Sequence, residues 1–341
     1  MGVASIGPLL KRGYRYTFVC GFGLIATGVA GLNLGTHIAT LAAAAVFGCG
    51  LGQTLSSANL WVAEIATARR VAALSILNLM WGIGAIASSP FVLLAQTHFG
   101  ISWLLYAIAA CSALTAIVLA GMNLEPGMST KKEKEEVQEP TPQQNISFRS
   151  AASLAALFFL YVGSENSVAG WVASLTKRMN PDSLWALAPM FFWGGLLAGR
   201  ALVPLIPLRR SERKLLVSGL ILATAGICFL LRAETFASVG VCVTAAGLGL
   251  AAIYPILIAW LVKAFGERSR RIGAVMFALS GMGAATLPWF VGMTSTKTGS
   301  LRAGLLIPLA GCIVMFALTA MMIEPAFRDA SSGEMARHAT D

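Results

Sequence analysis

Apolar runs of eighteen residues or more recur along almost the whole of this 341-residue chain. Each is long enough to cross a hydrocarbon layer of roughly 30 Å as a helix. Inside such a layer every backbone N–H and C=O must find its partner within the fold, so only helices and closed barrels cross it. A barrel strand alternates apolar and polar residues, and no such alternation is present. Charged residues make up 12% of the chain, against about 25% in a soluble domain. The fold class is therefore all-α: a polytopic membrane protein.

The pattern predicts ten spans, at about 16–33, 38–63, 72–96, 103–124, 151–176, 185–206, 214–232, 236–262, 272–294 and 301–323. One long connection interrupts them. Residues 125–147 include "EPGMSTKKEKEEVQEPTPQQN", charged, proline-bearing and almost free of bulky apolar groups. Such a stretch buries too little surface to fold. It divides the chain into a four-helix bundle (1–124), a flexible linker (125–147), a six-helix bundle (148–325) and a tail (326–341).

Charge in the loops sets the orientation. One set of alternate loops, with the tail, holds nineteen Lys and Arg residues; the other holds five. The basic set lies on the cytoplasmic side, which puts both termini and the linker in the cytoplasm and the protein in the cytoplasmic (inner) membrane as a multi-pass monomer. The net charge of +10 sits in these short clusters rather than on one solvated face, so it argues for loops and not for nucleic acid. The six cysteines lie inside apolar runs without a CxxC pair, and the three histidines lie far apart. The sequence therefore points to no metal site and no cofactor.

The halves repeat. "GIGA" at Gly82–Ala85 answers "GMGA" at Gly281–Ala284, an offset of 199 residues. Trp61 answers Trp260, Glu125-Pro126 answers Glu324-Pro325, and Arg15 answers Lys214, all at the same offset. Parallel repeats of this kind build transporters with the substrate site between the halves. The second half has two spans, 151–176 and 185–206, whose counterparts fall about 48 residues ahead of Met1. The expectation is a six-plus-six design whose first helix pair lies outside the sequence.

A charged central linker, basic loops after the second helix of each half and this helix count resemble the major facilitator superfamily, over about 9–325. Within it, "LLKRGYR", "FLYVGSENSVAGW" (Phe159–Trp171), "FFWGGLLAGR" (Phe191–Arg200) and "GLGLAAIYP" (Gly247–Pro255) resemble the fucose-permease-like branch of proton-linked sugar symporters. The resemblance implies alternating access between two bundles. It also implies a proton-linked aspartate on the design's first helix and a glutamate on its fourth. This sequence has Leu55 at the second of these positions and keeps Asn59 nearby.

The residues themselves nominate a site. Glu165 stands deep inside an apolar span, where a carboxylate is costly and faces a cavity by default; it is the first candidate to hold a proton or a solute hydroxyl. Asn59, Asn78 and Asn166 place amides inside spans, and an amide donates to and accepts from hydroxyls at once; packing between helices is the alternative. Trp81, Trp193 and Tyr254 are candidates to stack on the apolar face of a sugar, or to pack. Arg200, Glu64 and Arg15 are read as gating or structural charges, Arg200 bonding carbonyls or a neighbouring acid and Glu64 pairing near Arg69. No catalytic residues are nominated: no clustered nucleophile, metal set or paired acids stand out, which argues against an enzyme. The leading reading is a secondary transporter of a small polar solute, most simply a sugar, with proton coupling as one option. The alternatives are drug or metabolite efflux and a truncated, non-transporting remnant.

Overall fold

The computed structural model describes residues 13–65, 70–124, 148–202, 212–265 and 269–321. Every regular element among them is helical. The chain divides into two compact units, Met1–Glu139 and Pro140–Asp341; the cut falls in the stretch read as a linker, which lies outside the described residues. Unit 1 contains α1 (Tyr14–Gly31), α2 (His37–Ile65), α3 (Arg70–Leu94) and α4 (Ile101–Ala120). Unit 2 contains α5 (Phe148–Met179), α6 (Ala188–Leu202), α7 (Glu212–Leu230), α8 (Phe236–Leu250), α9 (Ile253–Phe265), α10 (Ser269–Thr298) and α11 (Leu306–Met321), the last preceded by a single turn, Leu301–Gly304.

Eight helical stretches among the described residues are long and apolar enough to cross a membrane, α8 and α9 together forming one of them. The sequence pattern predicts ten. The difference lies in α5 and α6. The run Ser164-Glu165-Asn166-Ser167 lowers the hydropathy of α5, and the described part of α6 covers 15 residues. These two elements carry most of the chemistry described below.

The 199-residue repeat holds at the level of structure. Helices α1, α2, α3 and α4 fall on α7, the α8–α9 pair, α10 and α11. The joints repeat too: Gly100 between α3 and α4 has φ of 83°, and Gly299 between α10 and α11 has φ of 71°. Only glycine adopts this left-handed conformation without strain, so the same turn residue is needed at both places.

In unit 1, α1 packs on α2 and α4. One apolar cluster gathers Tyr14, Phe18 and Leu124 around Trp61; another gathers Ile25, Val29 and Ala109 around Phe22 and Phe47. Trp61 Nε1 donates to the Leu124 carbonyl at 2.9 Å. Its repeat counterpart, Trp260, donates at the same distance to the Glu212 carboxylate.

In unit 2, α5 is the central helix. It lies along α10 and also touches α6, α8, α9 and α11. Leu154, Leu157, Phe158, Tyr161, Glu165, Val168 and Val172 recur at three- and four-residue intervals and are all buried, so they form one face of the helix. The approach to α10 is close because of Gly283: a Cβ there would run into the Phe159 carbonyl oxygen. Small residues at such crossings are how membrane helices gain packing contact.

Candidate functional site

Glu165 sits seventeen residues into α5. At about 1.5 Å per residue this is roughly 26 Å along the helix. It is 6% exposed, so its carboxylate needs partners. The first is Tyr161, one turn earlier on the same face, whose hydroxyl donates to Glu165 Oε2. The second is Arg200 in the last turn of α6, with Nη2 4.0 Å from the same oxygen. A phenol and a guanidinium thus converge on one carboxylate oxygen. Arg200 thus has a carboxylate within ion-pair reach.

The α8–α9 break completes the cluster. "GLGLAAIYP" reads as one span by hydropathy, but the helix interrupts at Ala251–Ala252 and restarts at Ile253. Pro255 lies in the first turn of α9, where its missing N–H costs least. The restart sets the Tyr254 ring against Tyr161, stacked at 5.6 Å between centroids with 25° between planes. Phe158 meets Tyr254 edge-on at 5.8 Å and Phe277 of α10 edge-on at 6.0 Å. The result is one carboxylate, one guanidinium and two phenols walled by aromatic rings.

One buried polar atom of the cluster, Arg200 Nε, lacks a hydrogen-bond partner among the described residues. Buried polar groups are normally satisfied by protein or water, so this N–H has capacity for an incoming acceptor. The cluster can offer a polar solute both donors and an acceptor, with flat aromatic surface beside them.

The other nominated residues have these surroundings within their own units. Asn166 is half-buried and donates to the Val162 carbonyl of its own helix at 2.8 Å. Asn59 is exposed and does the same to Leu55 at 2.8 Å. Trp193 is half-buried, edge-on to Phe192 at 5.3 Å. Trp81 is exposed on α3, and Arg15 is exposed in the first turn of α1. Asn78 and Glu64 belong to α3 and α2, but their side chains lie outside the described residues. Tyr161 was not nominated from sequence. Its signal was the four-residue spacing to Glu165, which puts both on one helix face.

Known structures share this fold. The Escherichia coli fucose:proton symporter FucP is 16% identical, with a TM-score of 0.53 over 94% of this chain and 87% of that one. The nucleoside transporter NupG is 13% identical, with a TM-score of 0.71 over 94% and 87%. A bacterial homologue of the human lysosomal transporter Spinster is 14% identical, with a TM-score of 0.66 over 94% and 84%. No curated protein sequence matches the chain. The sequence pattern of the Major Facilitator Superfamily matches residues 2–270, well over half of the chain. With its repeated helical units and these structural relatives, this chain belongs to the Major Facilitator Superfamily.

Proposed function

We infer that the protein moves a small polar solute, most simply a sugar, across a membrane by alternating access, with Glu165 as the group that binds solute hydroxyls or a proton. The observation that carries this reading is the burial of a carboxylate with a guanidinium and two phenols in the middle of a membrane bundle. Intramembrane charges are expensive and mark solute or ion pathways. The half-buried Tyr254 ring supplies a flat face for a sugar ring, and Arg200 Nε supplies unmet hydrogen-bonding capacity. The fucose:proton symporter fold supports a sugar and proton coupling by analogy.

In this reading the two bundles flank a flexible linker at 125–147, the protein works as a monomer in the cytoplasmic membrane, and both termini face the cytoplasm. The loop bias of nineteen basic residues to five supports that orientation. A second reading, a solute with a larger apolar face such as a nucleoside, is favoured by the ring walls of Phe158, Tyr254 and Phe277 and by the NupG-like fold. Proteoliposomes holding the protein separate the two. Uptake of labelled hexoses and deoxyhexoses that saturates, and that an imposed proton gradient accelerates, supports the first reading. Uptake confined to nucleosides supports the second, and no saturable flux of either class refutes both.

A further inference from the structure

We propose that the solute held at the Glu165 cluster carries a carboxylate, which the guanidinium of Arg200 takes. The fitting class is a sugar acid, a small polyhydroxylated monocarboxylate. This class rests on the cluster being the solute site, as read above.

The first observation is an imbalance at Arg200. A guanidinium presents five N–H donors in a planar fork and no acceptor. A carboxylate matches that fork with two parallel hydrogen bonds, which a single hydroxyl cannot do. Glu165 does not match it in this way. Its Oε2 accepts from the Tyr161 hydroxyl. Arg200 Nη2 stands 4.0 Å from the same oxygen, within ion-pair reach but beyond a hydrogen bond. Arg200 Nε is buried without a partner among the described residues. A quarter of the Arg200 side chain is exposed, so the fork is open to an incoming group. Two carboxylates at one guanidinium repel each other unless one is neutral. Ionised Glu165 is therefore the competitor of an acidic solute, and neutral Glu165 is its companion.

The second observation is the charge at one end of unit 2. Helices α5, α7 and α10 finish together: Arg178 Nη1 donates to Ser295 Oγ at 3.0 Å, and Arg302 Nη2 donates to the Ala233 carbonyl at 2.7 Å. The segments 177–187, 231–235 and 297–302 at this end hold five Lys and Arg residues against Asp182 and Glu234. Lys177 and Lys297 are exposed there, and Lys177 lies about 18 Å along α5 from Glu165. A surplus of one sign around an entrance concentrates ligands of the other sign. The end of unit 2 and the unmatched fork inside it thus favour the same charge on the solute.

The test is equilibrium binding to the purified full chain by titration calorimetry, with D-glucuronate, its neutral methyl ester and glucose as ligands. Acid and ester share the ring and hydroxyls and differ in charge. The acid should bind roughly tenfold more tightly than the ester, the margin of a charge-assisted over a neutral hydrogen bond. Arg200→Gln should bring acid and ester to roughly equal affinity. Glu165→Gln should raise the acid-to-ester preference, since it removes the competing carboxylate; a merely structural role for Glu165 would not favour the acid. This variant also carries the test if Arg200→Gln fails to fold. Ester or glucose binding as tightly as the acid overturns the proposal, and saturable hexose uptake in proteoliposomes beside that result leaves the sugar-transport reading standing. A preference that survives Arg200→Gln overturns it, because the anion is then held elsewhere. A preference that Glu165→Gln lowers or leaves unchanged overturns it too. Binding of none of these ligands overturns both the proposal and the sugar reading on which it rests.

Discussion

The Tyr254 ring lies nearly parallel to the Tyr161 ring, 5.6 Å away, although the two residues are 93 positions apart in the chain. The contact joins the restart of α9 to the middle of α5, at the phenol that donates to Glu165.

Glu165→Gln is expected to abolish uphill, proton-driven accumulation while sparing solute exchange. The amide keeps the shape and still accepts from Tyr161, but it has no proton to exchange. Uptake against a gradient and counterflow exchange in proteoliposomes measure the two activities separately. Unchanged uphill uptake at every pH tested would refute the coupling role.

Arg200→Met should destabilise unit 2, by less than the ~3–5 kcal/mol of a fully buried pair, since it strands the buried Glu165 while Arg200 itself is a quarter exposed and 4.0 Å away. The double variant Arg200→Met with Glu165→Gln should lose less than the sum of the two single changes. Thermal unfolding of all four proteins closes the cycle. Strict additivity would mean that the two side chains do not act on each other.

Gly283→Val should lower the Tm, because the new side chain meets the Phe159 carbonyl across the α5–α10 crossing. Overpacking of this kind costs about 1–3 kcal/mol. An unchanged Tm by the same assay would show that the crossing can open without penalty.

The orientation is tested by labelling. A cysteine at Asp182, exposed in the turn between α5 and α6, should react with an impermeant thiol reagent added outside intact cells. A cysteine at Ser331, in the tail, should not. The reverse pattern would invert the topology.

Much of this was legible in the sequence. Glu165 announced itself as a lone carboxylate in an apolar run, and the 199-residue offset anticipated the correspondence of α1–α4 with α7–α11. Three features were not legible, each for a physical reason. Tyr161 in an apolar helix reads as packing until its hydroxyl is seen to face a carboxylate. The Ala251–Ala252 break is invisible to hydropathy, because alanine and isoleucine continue the apolar run; Pro255 was the one local sign. The amides of Asn59 and Asn166 each donate to a carbonyl four residues back, a contact that the sequence did not show. That local choice competes with any longer-range partner and leaves no trace in composition.

The two indoles that answer each other across the repeat have been put to unequal use. Trp61 is tethered to the main chain at Leu124, so any residue that keeps the backbone there keeps the tether. Trp260 is bonded to the side chain of Glu212, and one codon change can remove that bond. Since duplication, the same tool has been mounted once on a fixture that drift leaves in place and once on a fixture that drift can erase. Unit 2 therefore carries a point of mutational fragility that unit 1 has been spared.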